Sequence, residues 1–218
     1  MRRRVRRARR RGPRTGLFSI SFAYRSRPAR ITERVRDVAS AFGIGVDRTH
    51  EFVIFKDLKI RIRPGDIVYI TGRSGSGKST LLRLLAEKIG PRYVARLEDV
   101  KIDKDKPIIE QLGSDSREAA RLLSMVGLSE PFLWLRRYDE LSEGQKYRFK
   151  LAKLLESPKP ILVIDEFCST LDEETAKIVS YNFQRAARRL GKTVIVATTR
   201  TDLEADLKPD VKVHKEIG

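Results

Sequence analysis

Gly72-Arg-Ser-Gly-Ser-Gly-Lys-Ser-Thr80 is the stretch from which the rest of the chain is read. Gly72, Gly77, Lys78 and Ser79 satisfy G-x-x-x-x-G-K-[ST], the pattern of a phosphate-binding loop. Its flanks carry as much weight as the pattern, because short motifs recur by chance. Before it, Asp66-Ile-Val-Tyr-Ile-Thr71 is an apolar run of strand length opened by the turn pair Pro64-Gly65. After it, Leu81, Leu82, Leu84, Leu85 and Ile89 recur at helical spacing until Gly90-Pro91. Strand, glycine loop and helix together aim backbone N–H groups and a helix N-terminus at an anion. Gly72, Arg73, Ser74, Gly75, Ser76, Gly77, Lys78, Ser79 and Thr80 are therefore the expected cradle of a nucleoside triphosphate. Lys78 would neutralise the β- and γ-oxygens, and the Ser79 hydroxyl would ligate Mg²⁺.

Composition bounds the remainder. At 218 residues the chain is long enough for one sizeable core, with room for a small appendage. No run approaches the roughly 18–20 apolar residues of a membrane span, and no secretory apolar region follows the first charges. The single cysteine, Cys168, excludes an intramolecular disulfide framework and suits a reducing compartment, so a cytoplasmic location is expected. His50 and His214 stand too far apart in sequence to suggest a zinc site.

The net charge of +17 is unevenly placed. Residues 1–36 hold fourteen arginines against one acid, Glu33. Residues 37–218 carry 32 basic side chains against 28 acidic ones. Nine of the arginines fall in residues 1–16, broken by Gly12-Pro13 and Gly16. Such a run repels itself and buries nothing, so a disordered arm is expected. Its functional reading is phosphate neutralisation on a nucleic acid or contact with another acidic surface. Its bland reading is a solvated tail.

Along the chain, Leu17 to Tyr24 alternates at period two and reads as a strand. Thr32 caps a helix with apolar positions at Val35, Val38, Ala39 and Phe42. Phe52-Val-Ile-Phe55 and Leu58-Lys-Ile-Arg-Ile62 read as a hairpin forming an antiparallel flap beside the nucleotide. Tyr93 to Leu97 is a short strand, and Glu98 to Lys106 a surface loop. Helices are expected around 118–126 and 132–135, the latter with Trp134 packed in the core, and from Leu141 to Leu155. Ile161-Leu-Val-Ile164 is a buried strand, 173–190 a helix, and Thr193 to Ala197 the last clear core strand.

Three further motifs follow the loop in order. Ile161-Leu-Val-Ile-Asp165-Glu166 resembles a Walker B strand, which would place Asp165 to hold Mg²⁺ through water and Glu166 to polarise the attacking water. Leu141-Ser-Glu-Gly-Gln145 lies 23 residues earlier, counted from Ser142 to Asp165, and opens a helix. It resembles the ABC signature, with Glu143 where glycine is commoner, and a serine hydroxyl at a helix N-terminus makes an anion site. Ser169-Thr-Leu-Asp172 resembles the D-loop of the same family. Over about residues 40–205 the sequence resembles an ABC-type ATPase.

That resemblance implies an α/β P-loop NTPase core of ABC type with an antiparallel β flap and a short helical subdomain at about 101–156. The expected division is an arm over 1–16, a basic strand and linker over 17–36, and the ATPase domain over 37–218. It also implies hydrolysis of ATP with Mg²⁺ in a head-to-tail homodimer. Ser142, Glu143, Gly144 and Gln145 would then meet the γ-phosphate held by the partner's Lys78. The departures are specific. Where the family has a histidine after the last core strand, Thr199 or Arg200 stands, and Arg200 could stabilise γ-phosphate charge. Gln111 falls late for the Q-loop glutamine. Phe42, then Phe52, fits the adenine-stacking aromatic by spacing. Ala197-Thr-Thr and Leu207-Lys-Pro-Asp210 resemble soluble archaeal-type ABC ATPases, some of which carry a predicted acetyltransferase domain. The arm and the short lid favour a soluble ATPase working with nucleic acid or a nucleoprotein machine. The alternatives are the nucleotide-binding subunit of a transporter, with a membrane partner, and an ATP-gated clamp of little turnover.

Overall fold

The computed structural model describes residues 15–26, 30–46 and 50–215. Residues 1–14, which carry the nine arginines, lie outside them. Packing divides the chain into two units, residues 18–60 and 61–217.

The smaller unit is built from β1 (Gly16–Ser26), α1 (Glu33–Ala41) and β2 (His50–Ile62). The two strands form one sheet. Ser19 Oγ donates to Asp57 at 2.6 Å and Arg25 pairs with Glu51 at 3.4 Å, so the strands run antiparallel. Thr32 caps α1 as the sequence predicts, its hydroxyl accepting from Val35 N. The expected hairpin over 52–62 is instead one strand. Lys56-Asp57 lacks the two left-handed residues of a tight reversal. Asp57 alone is left-handed, at φ 47°, and its N–H donates to Ser21 Oγ. That is the geometry of a bulge, which bends a strand without reversing it.

The larger unit runs β3 (Ile67–Gly72), α2 (Lys78–Ile89), β4 (Val94–Arg96), α3 (Ser116–Met125), α4 (Pro131–Trp134) and α5 (Glu143–Glu156). It continues with β5 (Ile161–Ile164), α6 (Glu173–Arg189), β6 (Thr193–Thr198), α7 (Glu204–Leu207) and β7 (Val211–Lys215). The strands make a five-stranded sheet in the order β4-β5-β6-β3-β7, every pair parallel. Parallel strands need crossovers, and helices on both faces make the strands apolar throughout, as β3, β5 and β6 are. Successive side chains alternate between faces. Ile67, Tyr69, Leu162, Ile164, Val194 and Val196 join one cluster with Phe149 and Leu151 of α5 and Phe183 of α6. Leu122 and Leu123 of α3 belong to the same cluster, so the helical stretch around 101–156 shares the core of the sheet.

β7 was not foreseen. Val211 and Val213 alternate with Lys212 and His214, as on a half-exposed edge strand. Asp210 sets its register, accepting from Ile67 N through its carboxylate at 2.8 Å and donating to Ile67 O at 2.9 Å.

Candidate nucleotide site

In an open parallel sheet, ligands bind at the carboxyl ends of the strands. There β3 ends in Gly72 and α2 begins at Lys78. Gly72, Gly75 and Gly77 take φ of 153°, 76° and 93°, conformations that side chains resist. A Cβ on Gly72 would collide with the Lys215 carbonyl and crowd Ser76 Oγ, so this residue has to be glycine for β7 to approach. No side chain caps α2. Its first-turn N–H groups have no partner within the helix, which is the anion-binding arrangement. Ser76 Oγ is buried and has no hydrogen-bond partner among the described residues. A buried hydroxyl left in this state is costly and calls for an acceptor or donor from outside.

The Lys78 side chain is buried, the residue being 5% exposed. Its Nζ donates to the carbonyls of Gly72 (2.9 Å) and Arg73 (2.8 Å), closing the loop on itself. A buried ammonium needs such partners. Ser79 is exposed at the start of α2 and Thr80 half-buried behind it, while Arg73 and Ser74 are exposed on the loop.

β6 separates β3 from β5, with Thr71 opposite Thr198 and Ile164 opposite Val196. Asp165 and Glu166 therefore emerge about 9–10 Å from the glycine loop, two strand spacings away. Asp165 Oδ1 accepts from Glu166 N at 3.0 Å. Among the described residues, nothing bonds the exposed Glu166 carboxylate. Glu166 and Cys168 are both left-handed, at φ 50° and 56°. Two such non-glycine residues in three positions store strain, a habit of functional loops. Phe167 N on Ala197 O (2.8 Å) and Cys168 N on the Tyr147 hydroxyl (2.8 Å) hold them there.

Among the described residues no cluster of three or more His, Cys, Asp and Glu could hold a metal alone. Mg²⁺ suits this site differently, since it takes one or two protein oxygens and completes its shell with phosphate and water. Ser79 and Asp165 are the residues here that fit that role.

Arg200 takes a position the sequence left open. Its guanidinium grips both Asp202 oxygens (3.0 and 2.6 Å) and donates to the Leu171 carbonyl at 2.9 Å. The guanidinium holds the Asp202 carboxyl below its usual range. Arg200 thus ties the end of β6 to the segment before Asp172. Its backbone carbonyl accepts from the Tyr69 hydroxyl. Burial pushes that phenol up to about 12. Asp172 caps α6, accepting from Thr175 N at 2.9 Å, and that bond lowers its pKa.

Ser142 caps α5 in a reciprocal box with Gln145. Glu143 is exposed and pairs with Lys146 at 2.9 Å. A Cβ on Gly144 would stand 3.2 Å from Leu171 Cδ2, so the glycine lets the segment before α6 lie close to α5. Gln111 is spent inside its own segment. Its amide accepts from Asp103 N and donates to the Asp103 and Lys106 carbonyls. Phe42 belongs to the smaller unit and is 75% exposed. The larger unit therefore brings together the glycine loop, Asp165, Glu166 and Arg200, with Ser142 to Gln145 at the head of a different helix. Tyr69, Tyr147 and Asp202 were missed. Nothing in the local sequence marks Tyr69 and Tyr147, because their bonds join elements far apart in the chain, whereas Asp202 bonds Arg200 only two positions away.

A family model described as "ABC transporter" matches residues 55–106. The methionine import ATP-binding protein MetN 1 of Lactiplantibacillus plantarum is 27% identical over 201 residues, covering 75% of this chain and 55% of that protein. The corresponding protein of Xanthomonas oryzae pv. oryzae is 30% identical over 190 residues, covering 70% and 56%. The chain spans about half the length of these curated relatives. Among solved structures, a dimeric bacterial ABC transporter cassette matches with a TM-score of 0.60 at 20% identity, over 78% of this chain and 89% of that one. A dimeric cassette in a post-hydrolysis state with ADP and phosphate gives 0.63 at 18% identity, over 94% and 96%. At such identities the likeness is one of fold.

Proposed function

This chain carries a P-loop NTPase domain of the ABC type, and from that premise we propose that it hydrolyses Mg·ATP in a head-to-tail homodimer and powers a membrane-embedded partner. The observation that carries the nucleotide reading is the buried Ser76 hydroxyl, unpartnered among the described residues, inside a glycine loop at an uncapped helix N-terminus. A β-phosphate seated there satisfies Ser76 and the free N–H groups together. Lys78 exchanges the Gly72 and Arg73 carbonyls for phosphate oxygens. Ser79 and Asp165 would hold Mg²⁺, whose charge would supply neutralisation of the phosphate oxygens. Glu166, beyond the carboxyl end of β5 and with a carboxylate that has no partner among the described residues, would accept a hydrogen bond from the attacking water and orient it in line. Ser142 and Gly144 supply the opposite wall from the second copy.

The relatives are named as import ATP-binding proteins, which favours a membrane partner over a nucleic acid. No helix among the described residues is long and apolar enough to cross a membrane, so the span would belong to that partner. Their methionine cargo is not carried over. A second reading rests on the arginines of residues 1–14, whose charge suits a polyanion. The test of the first is phosphate release with Glu166→Gln. A loss of about 100-fold or more with ATP affinity kept supports it, and undiminished release contradicts it.

A further inference from the structure

At the far end of α6, remote from the nucleotide loop, an open cleft of about 300 Å³ lies between α3 and α6. Arg121 and Ser124 line it from α3, and Asn182, Arg185 and Arg189 from α6. Among the described residues no acidic side chain lines it. Among the described residues, none of these three arginines has an ion-pair partner, whereas the neighbouring Arg188 pairs with Asp210 at 3.0 Å. Glu118, the acid of α3, accepts from the Ser114 N–H and hydroxyl and is also attracted by Arg121. Arg185 is stacked on the Tyr181 ring, 5.4 Å from its centroid, which restrains where its fork points.

The bland account is that these cations neutralise the carbonyl ends of the two helices. The magnitudes do not agree. Two helix C-termini present about −0.5 each and the Glu118 carboxylate adds one negative charge beside Arg121, against three guanidinium charges, leaving about +1. That excess, carried on two helices with an amide and a hydroxyl beside it, suits a phosphate anion. Arginine forks bind phosphate oxygens in pairs. The cleft is of the size that small ligands occupy. It is also a separate site. Residues 182–189 stand about 15–25 Å along the helix axis from Asp172.

We infer that the α3–α6 cleft binds a phosphate group, free or on a lipid headgroup, held by Arg121, Arg185 and Arg189. Because α6 runs from this cleft to the loop after β5, occupancy bears on the same element that Asp172 caps. The test uses the full chain with its nucleotide site saturated by a non-hydrolysable ATP analogue, so that only further binding is read. Pyrophosphate is titrated by calorimetry, and vesicles containing phosphatidic acid are titrated by sedimentation. The parent is compared with the Arg185→Gln/Arg189→Gln and Arg185→Lys/Arg189→Lys variants, all three with equal melting temperatures. The expected result is that the glutamine pair weakens one site by about tenfold or more, and that the lysine pair, which keeps charge but loses the fork, also weakens it. Loss in the pyrophosphate arm identifies a free phosphate, and loss confined to vesicles identifies a headgroup. Unchanged binding in the glutamine pair in both arms overturns the site. Full binding by the lysine pair overturns it too, since charge alone would then suffice.

Discussion

Lys78 closes the glycine loop through two carbonyls, so its removal has two separable consequences. Lys78→Ala takes away the cation proposed to meet the β- and γ-phosphates, and fluorescent ATP-analogue binding should fall steeply. It also removes two hydrogen bonds that close the loop. The melting transition should report a loss of about 1–3 kcal/mol with the fold retained. An analogue that binds the variant as tightly as the parent contradicts the site. Cys168 makes the opposite point, since proximity to chemistry is not reactivity. It follows Glu166 by two positions, yet burial pushes its thiol up to about 12. A group with a raised pKa contributes stability that is intact below the free thiol's value near 8.5. That contribution is lost as pH rises from there towards about 12. Iodoacetamide at neutral pH should therefore modify the native protein very slowly and the urea-unfolded chain readily. Rapid native labelling would mean that the thiol is open to solvent.

Between elements, the structure joins parts that carry separate motifs. Tyr147, one turn into α5 behind Ser142, accepts the Cys168 N–H. Arg200 joins the end of β6 to Leu171. Gly144 makes room for the same Leu171. Tyr147→Phe should leave the Cys168 N–H buried without a partner, at about 1–3 kcal/mol in a denaturant melt. An unchanged midpoint would show that Cys168 N finds another acceptor. The sequence revealed each motif because local chemistry demands its spacing, from the glycines of 72–77 to the apolar run before Asp165. The links between motifs were illegible for a complementary reason, since Tyr147–Cys168 and Tyr69–Arg200 depend on packing between distant segments. The same limit explains β2 and β7. Lys56-Asp57 looks like a turn until its single left-handed residue is seen, and Val211 and Val213 are too short an alternation to announce an edge strand. The motif pattern gives the role of Lys78 without its resting partners, the Gly72 and Arg73 carbonyls.

For the whole molecule, the charge asymmetry and the nucleotide site make independent demands. Removing residues 1–14 should leave ATP hydrolysis nearly unchanged, because the deletion ends before β1. If about half of the arginines engage duplex DNA, the full chain should bind with a log–log salt slope of about −4 to −5, and the truncated chain should lose that binding. Equal binding by both would move any polyanion site onto the ATPase body. The central claim, however, is that this chain holds one half of each of two ATP sites. In the proposed dimer the loop at Lys78 and the capped helix at Ser142 would be complementary halves belonging to different copies. Glu166→Gln keeps the shape of the site and removes the charge that orients water, so Mg·ATP should be trapped between two chains. The direct measurement is the molar mass of Glu166→Gln by light scattering on sizing chromatography, with and without Mg·ATP. The account predicts a dimer with Mg·ATP and a monomer without it. A variant that binds Mg·ATP and remains a monomer would contradict it.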